Sequence, residues 1–229
     1  MTLAQETSPF FDWSWVGRNL DTIWERTIEH LSLTGVALLV GLAVAGLLSG
    51  LAIKRPRMYA PIAGVSGVLY TIPSLALFAL VAALIGLGTP TRRFITAEVA
   101  LVTYTLLILV RNIVTGIRNI PVGVREAAVG MGYREGERLR RVEIPLAIPV
   151  IVAGLRIATV TVVGLVTVTS LLGLGGLGFF ILDGLRRSII FPTEIVVGVA
   201  LSVVLAAILD LGLLVVGRAL TPWATRSAT

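Results

Sequence analysis

The chain contains no cysteine and a single histidine, His30. The first absence removes disulfide frameworks, thiolate metal sites and thiol nucleophiles. The second leaves no histidine cluster for a metal and makes a histidine-based triad nearly impossible. Charge is scarce as well: Asp, Glu, Lys and Arg make up 14% of the 229 residues, where a soluble domain carries about 25%. Apolar residues reach 56% and the mean hydropathy is +0.95. One water-soluble core cannot hide that excess. Three uncharged runs place it: Leu31–Ile53 is 23 residues long, Met58–Thr91 is 34 and Ile157–Leu182 is 26. About 20 apolar residues span a bilayer, so the chain reads as an all-α integral membrane protein that crosses several times.

Five spans are expected, at Leu31–Ile53, Pro61–Leu87, Ile95–Ile117, Leu146–Leu171 and Ile195–Gly217. The net charge of +6 sits in the short loops between them, which points to the positive-inside bias and not to a nucleic-acid surface. Eleven Lys and Arg follow spans one, three and five, against six on the other side. That puts the N-terminus outside and the C-terminus in the cytoplasm. The opening MTLAQETSPFFDW has no basic n-region and no early apolar run, so span one is expected to act as an uncleaved targeting signal.

Residues 1–30 form an extracytoplasmic or interfacial segment in this reading, residues 31–217 the membrane domain and residues 218–229 a cytoplasmic tail. Trp13, Val16, Leu20, Ile23, Trp24, Thr27 and Leu31 recur at three- and four-residue spacing, the pattern of an amphipathic helix. Its tryptophans suit a helix lying at the membrane surface, as an anchor for span one or a docking face for an external partner. His30 is expected to be solvated or interfacial.

One loop is long and polar. In Arg118–Pro145, Pro121 suits a first helical turn and Val124–Met131 has the composition of one short helix. Gly130, Gly132 and Gly136 then allow sharp turns, and Pro145 opens span four. A positive-inside role explains the arginines of this loop. It does not explain Ala127-Ala128, the glycine spacing or the terminal proline.

Glu126-Ala127-Ala128, three residues, Gly132, nine residues and Val142-Glu143-Ile144-Pro145 resemble the EAA loop of ABC-importer permease subunits. Val142 and Ile144 stand where that family has Ile and Leu. Tyr70–Phe78, with Ile72-Pro73-Ser74-Leu75-Ala76-Leu77, is similar to the IPSLAL segment of the family's osmoprotectant branch. Ala153-Gly154-Leu155-Arg156 and Gly173–Gly178 are similar to its AGIR and GAGGLG segments. The likeness covers roughly residues 35–215. It implies the type I permease fold in a bacterial plasma (inner) membrane. It also implies that Glu126, Ala127, Ala128, Gly132 and Pro145 couple the chain to a separate ABC ATPase subunit. ATP and Mg would sit on that subunit, no cofactor would sit on this chain, and no Walker A motif is found in it. Further implied partners are an extracytoplasmic substrate-binding protein, a second permease chain (identical or homologous) and membrane lipid, with no nucleic acid. The implied cargo is glycine betaine, choline or a related quaternary amine such as carnitine or proline betaine. A methionine-type amino-acid permease shares much of the pattern. A stand-alone secondary transporter or channel would need neither the EAA loop nor an ATPase.

Other signals are weaker. Gly173, Gly175 and Gly178 match a dinucleotide GxGxxG with Glu194 at the acidic offset. The apolar stretch before them is far longer than a strand, so close helix packing or a turn is the better reading, with Gly178–Ile190 as a short re-entrant hairpin. Gly41, Gly46 and Gly50 read as helix-packing positions. Tyr70 and Tyr104 either form part of a cation–π cage or simply pack, and Pro73 kinks span two. At 1.5 Å per residue, Arg156 lies ~16 Å along span four, Asp210 ~12 Å along span five and Arg111 ~10 Å along span three, all from the cytoplasmic end. Charges at that depth pair or face water. Asp210 is therefore expected to pair with Arg156 or Arg111, as a gate element or as a packing contact.

Overall fold

A computed structural model of the chain describes residues 10–187 and 192–223. Among them there is helix and no strand. The short α1 (Trp13–Arg18) starts at Asp12, whose carboxylate accepts from the Ser14 and Trp15 amides at 2.8 and 3.2 Å, an N-cap. It leads at once into α2 (Leu20–Lys54).

Those 35 residues make a rod of ~52 Å, well beyond a hydrocarbon core of about 30 Å. The expected surface helix is therefore not separate over Leu20–His30. No proline interrupts the sequence between Asn19 and Leu31, so the helix of span one simply extends outward. Its Ile23 and Leu31, with Trp15 of α1, pack on a cluster built around Leu177, Phe180 and Leu205.

Span two is two helices, α3 (Tyr59–Thr71) and α4 (Ser74–Ile85), set at 101° across Ile72-Pro73. The expected kink is a break. Helix α5 (Pro90–Arg118) is the axis of the bundle and packs on α2, α3, α4 and α8. Its small and β-branched residues Ala97, Ala100, Val110 and Val114 are buried, which lets neighbouring backbones approach closely. Gly41 of α2 meets Thr105 of α5 in this way, since an added Cβ would lie 2.1 Å from the Thr105 hydroxyl. Gly46 and Gly50 have open space around them, so the packing role expected of all three belongs to Gly41 alone.

After α5 come α6 (Val122–Gly130), α7 (Glu135–Arg138), a π turn at Leu139–Glu143 and α8 (Ile144–Val166), which runs on as a 3₁₀ turn, Thr167–Leu172. Gly173 and Gly176, both with φ near +71°, then turn the chain back. Helix α9 (Gly178–Arg186) follows and lies against α10 (Pro192–Leu220). The glycine stretch is thus a turn, not a nucleotide loop after a strand. Of the expected re-entrant hairpin, the described part is one nine-residue helix; residues 188–190 lie outside the described residues. By length and composition, four helices among the described residues can cross a membrane, and the broken α3–α4 pair brings the number to as many as five, the count the apolar runs imply.

Candidate coupling loop and transmembrane ion pair

The loop between α5 and α8 is ordered by its own chemistry. Helix α6 stops in a Schellman motif: Tyr133 N–H donates to Ala128 C=O and Gly132 N–H to Val129 C=O, at 3.1 and 2.9 Å. Gly132 holds φ +85°, where a side chain is strained, although no atom lies within 4 Å of an added Cβ. The three residues between Ala128 and Gly132 are therefore the spacing that this stop requires. Ala127 and Glu126 are exposed, and so are Val122, Val129 and Met131. Ala128 is fully buried inside the chain. Of the alanine pair only Ala127 is available to a partner; Ala128 seats the helix on its own bundle. Pro145 stands in the first turn of α8, directly after the π turn.

Asp210 of α10 meets Arg156 of α8 in a two-point bond, Nε to Oδ1 at 2.8 Å and Nη2 to Oδ2 at 2.6 Å. Depth arithmetic left two candidate partners, and the geometry selects one. Arg111 is exposed on α5 and makes no ion pair among the described residues. The bonded side chains are 32% and 26% exposed and border an open cleft with Ala153, Ile157, Val160 and Thr161.

The tyrosines divide their work. The Tyr104 hydroxyl donates to the Ile72 carbonyl at the α3–α4 break, a group that Pro73 leaves outside the regular helix ladder. In hydrocarbon such a carbonyl needs a partner. Tyr70 is half-exposed and meets Tyr104 edge-on, with ring centroids 5.7 Å apart. The two rings pack on each other at the break. Tyr104→Phe is expected to lower the thermal stability of the solubilised protein by about 1 kcal/mol, the net worth of one hydrogen bond, which a melting curve beside the parent would register.

Two features escaped the sequence. His30 is fully buried, contrary to the solvated or interfacial position expected of it. Its Nδ1 accepts from the Leu177 amide at 3.2 Å, and Nε2 lies 3.1 Å from the Val163 carbonyl and donates to it. Beside it the Glu29 carboxylate accepts from the Gly175 and Gly176 amides, each at 3.0 Å, and from Arg26 at 2.8 Å. This pair of residues latches the glycine turn to α2. The available signal was periodic: His30, Leu33, Thr34, Ala37 and Gly41 form one buried stripe. Glu143, also buried, gathers two arginines of the loop.

Long apolar helices, one pair of them broken, and a polar helix-and-turn segment presenting an exposed face define an all-α membrane protein. Residues 37–224 match the family described as the binding-protein-dependent transport system inner membrane component, and the chain belongs to that family. It is similar to the choline transport system permease protein OpuBB of Bacillus subtilis, 36% identical over 86% of this chain and 88% of that one. The glycine betaine/carnitine/choline permease protein OpuCB of the same organism is 38% identical over the same shares. The osmoprotectant import permease protein OsmW of Salmonella typhimurium is 40% identical over 80% of this chain and 85% of its own. Among solved structures, the inward-facing MetNI methionine ABC transporter matches with a TM-score of 0.73 at 21% identity, over 92% of this chain and 100% of that one. An amino acid ABC transporter solved with histidines matches at 0.75 and 19%, over 90% and 98%. At such identities these structures speak for the fold alone.

Proposed function

We propose that the chain is the permease subunit of an ATP-driven importer of quaternary-ammonium osmoprotectants. It forms the translocation path with a second permease chain and takes its power from a separate ATPase subunit. The observation that carries this reading is the loop itself, where a Schellman-stopped helix presents Val122, Glu126, Ala127, Val129 and Met131 outward. An apolar face rimmed by charge suits a groove on another protein. The relatives' printed cargoes support the substrate class. An extracytoplasmic binding protein delivers the solute, and closure of the ATPase pair displaces α6.

The Arg156–Asp210 pair borders the path in this scheme. A half-open ion pair at that depth is turned toward water or a second chain and away from lipid. The break at Pro73 sits on the same footing, because irregular backbone inside a membrane lines protein or a cavity.

The decisive measurement is uptake of labelled glycine betaine and choline into vesicles with and without the ATPase subunit. ATP-dependent accumulation only in its presence is expected; equal accumulation without it would reject the scheme. For the loop, Gly132→Leu must adopt a left-handed backbone at a cost of about 1–2 kcal/mol. Insertion is expected to persist while uptake falls and ATP hydrolysis continues, read as solute imported per ATP. The orientation, with the N-terminus outside and the C-terminus in the cytoplasm, predicts that cysteines introduced at Arg57 and Arg134 resist an impermeant reagent in intact cells. One introduced at Arg18 is expected to react.

A further inference from the structure

The coupling helix α6 lies between two turns, Asn119–Pro121 before it and the Gly132 turn after it. A helix seated by one small buried side chain, Ala128, between two turns can still rock about the line that joins those turns. A push on its outer face would then be spent in rotation. A third tie, off that line, is what turns the helix into a lever.

Glu143 stands where such a tie is needed. It is 4% exposed and is the last residue of the π turn before α8. Its Oε1 accepts from Arg138 Nε of α7 at 2.9 Å and faces Arg125 Nε of α6 at 3.5 Å. Arg125 also donates through Nη2 to the Ile117 carbonyl in the last turn of α5, which accepts from the Ile120 amide as well. One carboxylate and two guanidinium groups thus join the end of α5, the coupling helix, α7 and the start of α8. Just inside, Gly116 of α5 packs on Ala147 and Val150 of α8, where an added Cβ would lie 3.2–3.3 Å from them. The two spans are therefore already in close contact where the tie meets them.

Resting on the reading of residues 118–145 as the coupling loop, we propose that Glu143 is a positioning residue that clamps α6 to α5 and α8, so that displacement of the coupling helix moves both spans. The clamp occupies the position between Val142 and Ile144 that the motif itself leaves free. An amide there keeps the shape and an acceptor for Arg138 but removes the charge that attracts Arg125, whose Nε faces Glu143 without a hydrogen bond. Arg125→Lys keeps a charge and removes the fork that reaches Glu143 and Ile117 together.

The experiment uses the whole importer in proteoliposomes, with glycine betaine as the probe. Solute imported and ATP hydrolysed are measured on the same preparation. Glu143→Gln is expected to lower imported solute per ATP by about three- to tenfold, the scale of one charge-assisted hydrogen bond. A merely structural role would reduce import and hydrolysis together and leave their ratio unchanged. Arg125→Lys is expected to lower the ratio likewise, and it decides the matter should the Glu143 variant fail to assemble. An unchanged ratio in the variants that assemble overturns the clamp, and so does failure of both to assemble. A disulfide between cysteines at Ala127 and on the ATPase subunit tests the underlying reading separately. If it forms while the ratio is unchanged, the clamp alone is wrong. If α6 cannot be cross-linked to the ATPase at all, both fall.

Discussion

Asp210→Asn is expected to give the largest loss of assembled permease of any single change at a charged residue of the spans. The carboxylate holds Arg156 at two points across 54 residues of chain. It supplies an ion-paired tie between α8 and α10. Neutralising one partner leaves a guanidinium at membrane depth with no anion. Asp210 is the only acid expected at that level, so no other carboxylate can take over. The double variant Asp210→Asn with Arg156→Gln removes both charges and is expected to recover more assembled protein than Asp210→Asn alone. Asp210→Asn with Arg111→Gln is not expected to recover, because Arg111 faces elsewhere. Arg156→Lys is expected to fall between, since an ammonium cannot reproduce the two-point geometry. The assay is the yield of monodisperse protein after solubilisation, followed by transport per assembled complex. Assembly regained without transport identifies a gate, and both regained identify a brace between the two helices. Parent-like yield from every one of these variants would show that the pair holds nothing.

Much of this architecture was legible in the residues because bilayer thickness imposes a length on uncharged runs. Ends were less legible. Nothing in hydropathy marks where α2 leaves the membrane, and an uninterrupted helix continues as far as its capping and packing allow. Pro73 announced a kink but not a 101° break, whose freed Ile72 carbonyl is met by the hydroxyl of Tyr104, 32 residues away. Depth along a helix follows from counting, which is why Asp210 was narrowed to two arginines. Direction around the axis depends on how α5, α8 and α10 are seated, and that chose Arg156. The same ambiguity hid the turn of Ala128 into the bundle. His30 was misplaced because a lone polar residue at the end of an apolar run is scored by its type. Its burial comes from a glycine turn more than 130 residues later, which presents one amide to it and two to Glu29.

That turn sets the second large effect, at Gly178. An added Cβ there would lie 2.0 Å from the Thr167 carbonyl oxygen and 2.6–2.7 Å from the Thr167 carbonyl carbon and Cα. These are backbone atoms, and no rotamer change can clear them. Even Gly178→Ala must push α9 away from the Thr167–Leu172 turn. Moving α9 opens the cluster of Leu177, Phe180 and Leu205 and strains the Leu177 amide away from His30. Overpacking in a well-filled interior costs typically about 1–3 kcal/mol, and more where only backbone can yield. Gly164, on α8 in the same region, is the internal control, because nothing lies within 4 Å of its added Cβ. Gly164→Ala replaces a helix-interior glycine and is expected to be neutral or to stabilise by up to about 1 kcal/mol. The two alanine variants therefore move in opposite directions under one assay, the melting temperature of purified protein in detergent. Gly178→Ala is expected to melt well below the parent, and Gly178→Val to yield little folded protein. Parent-like melting of Gly178→Ala would mean that α9 does not sit against the Thr167 backbone, and the Glu29–His30 latch would lose its geometric basis with it.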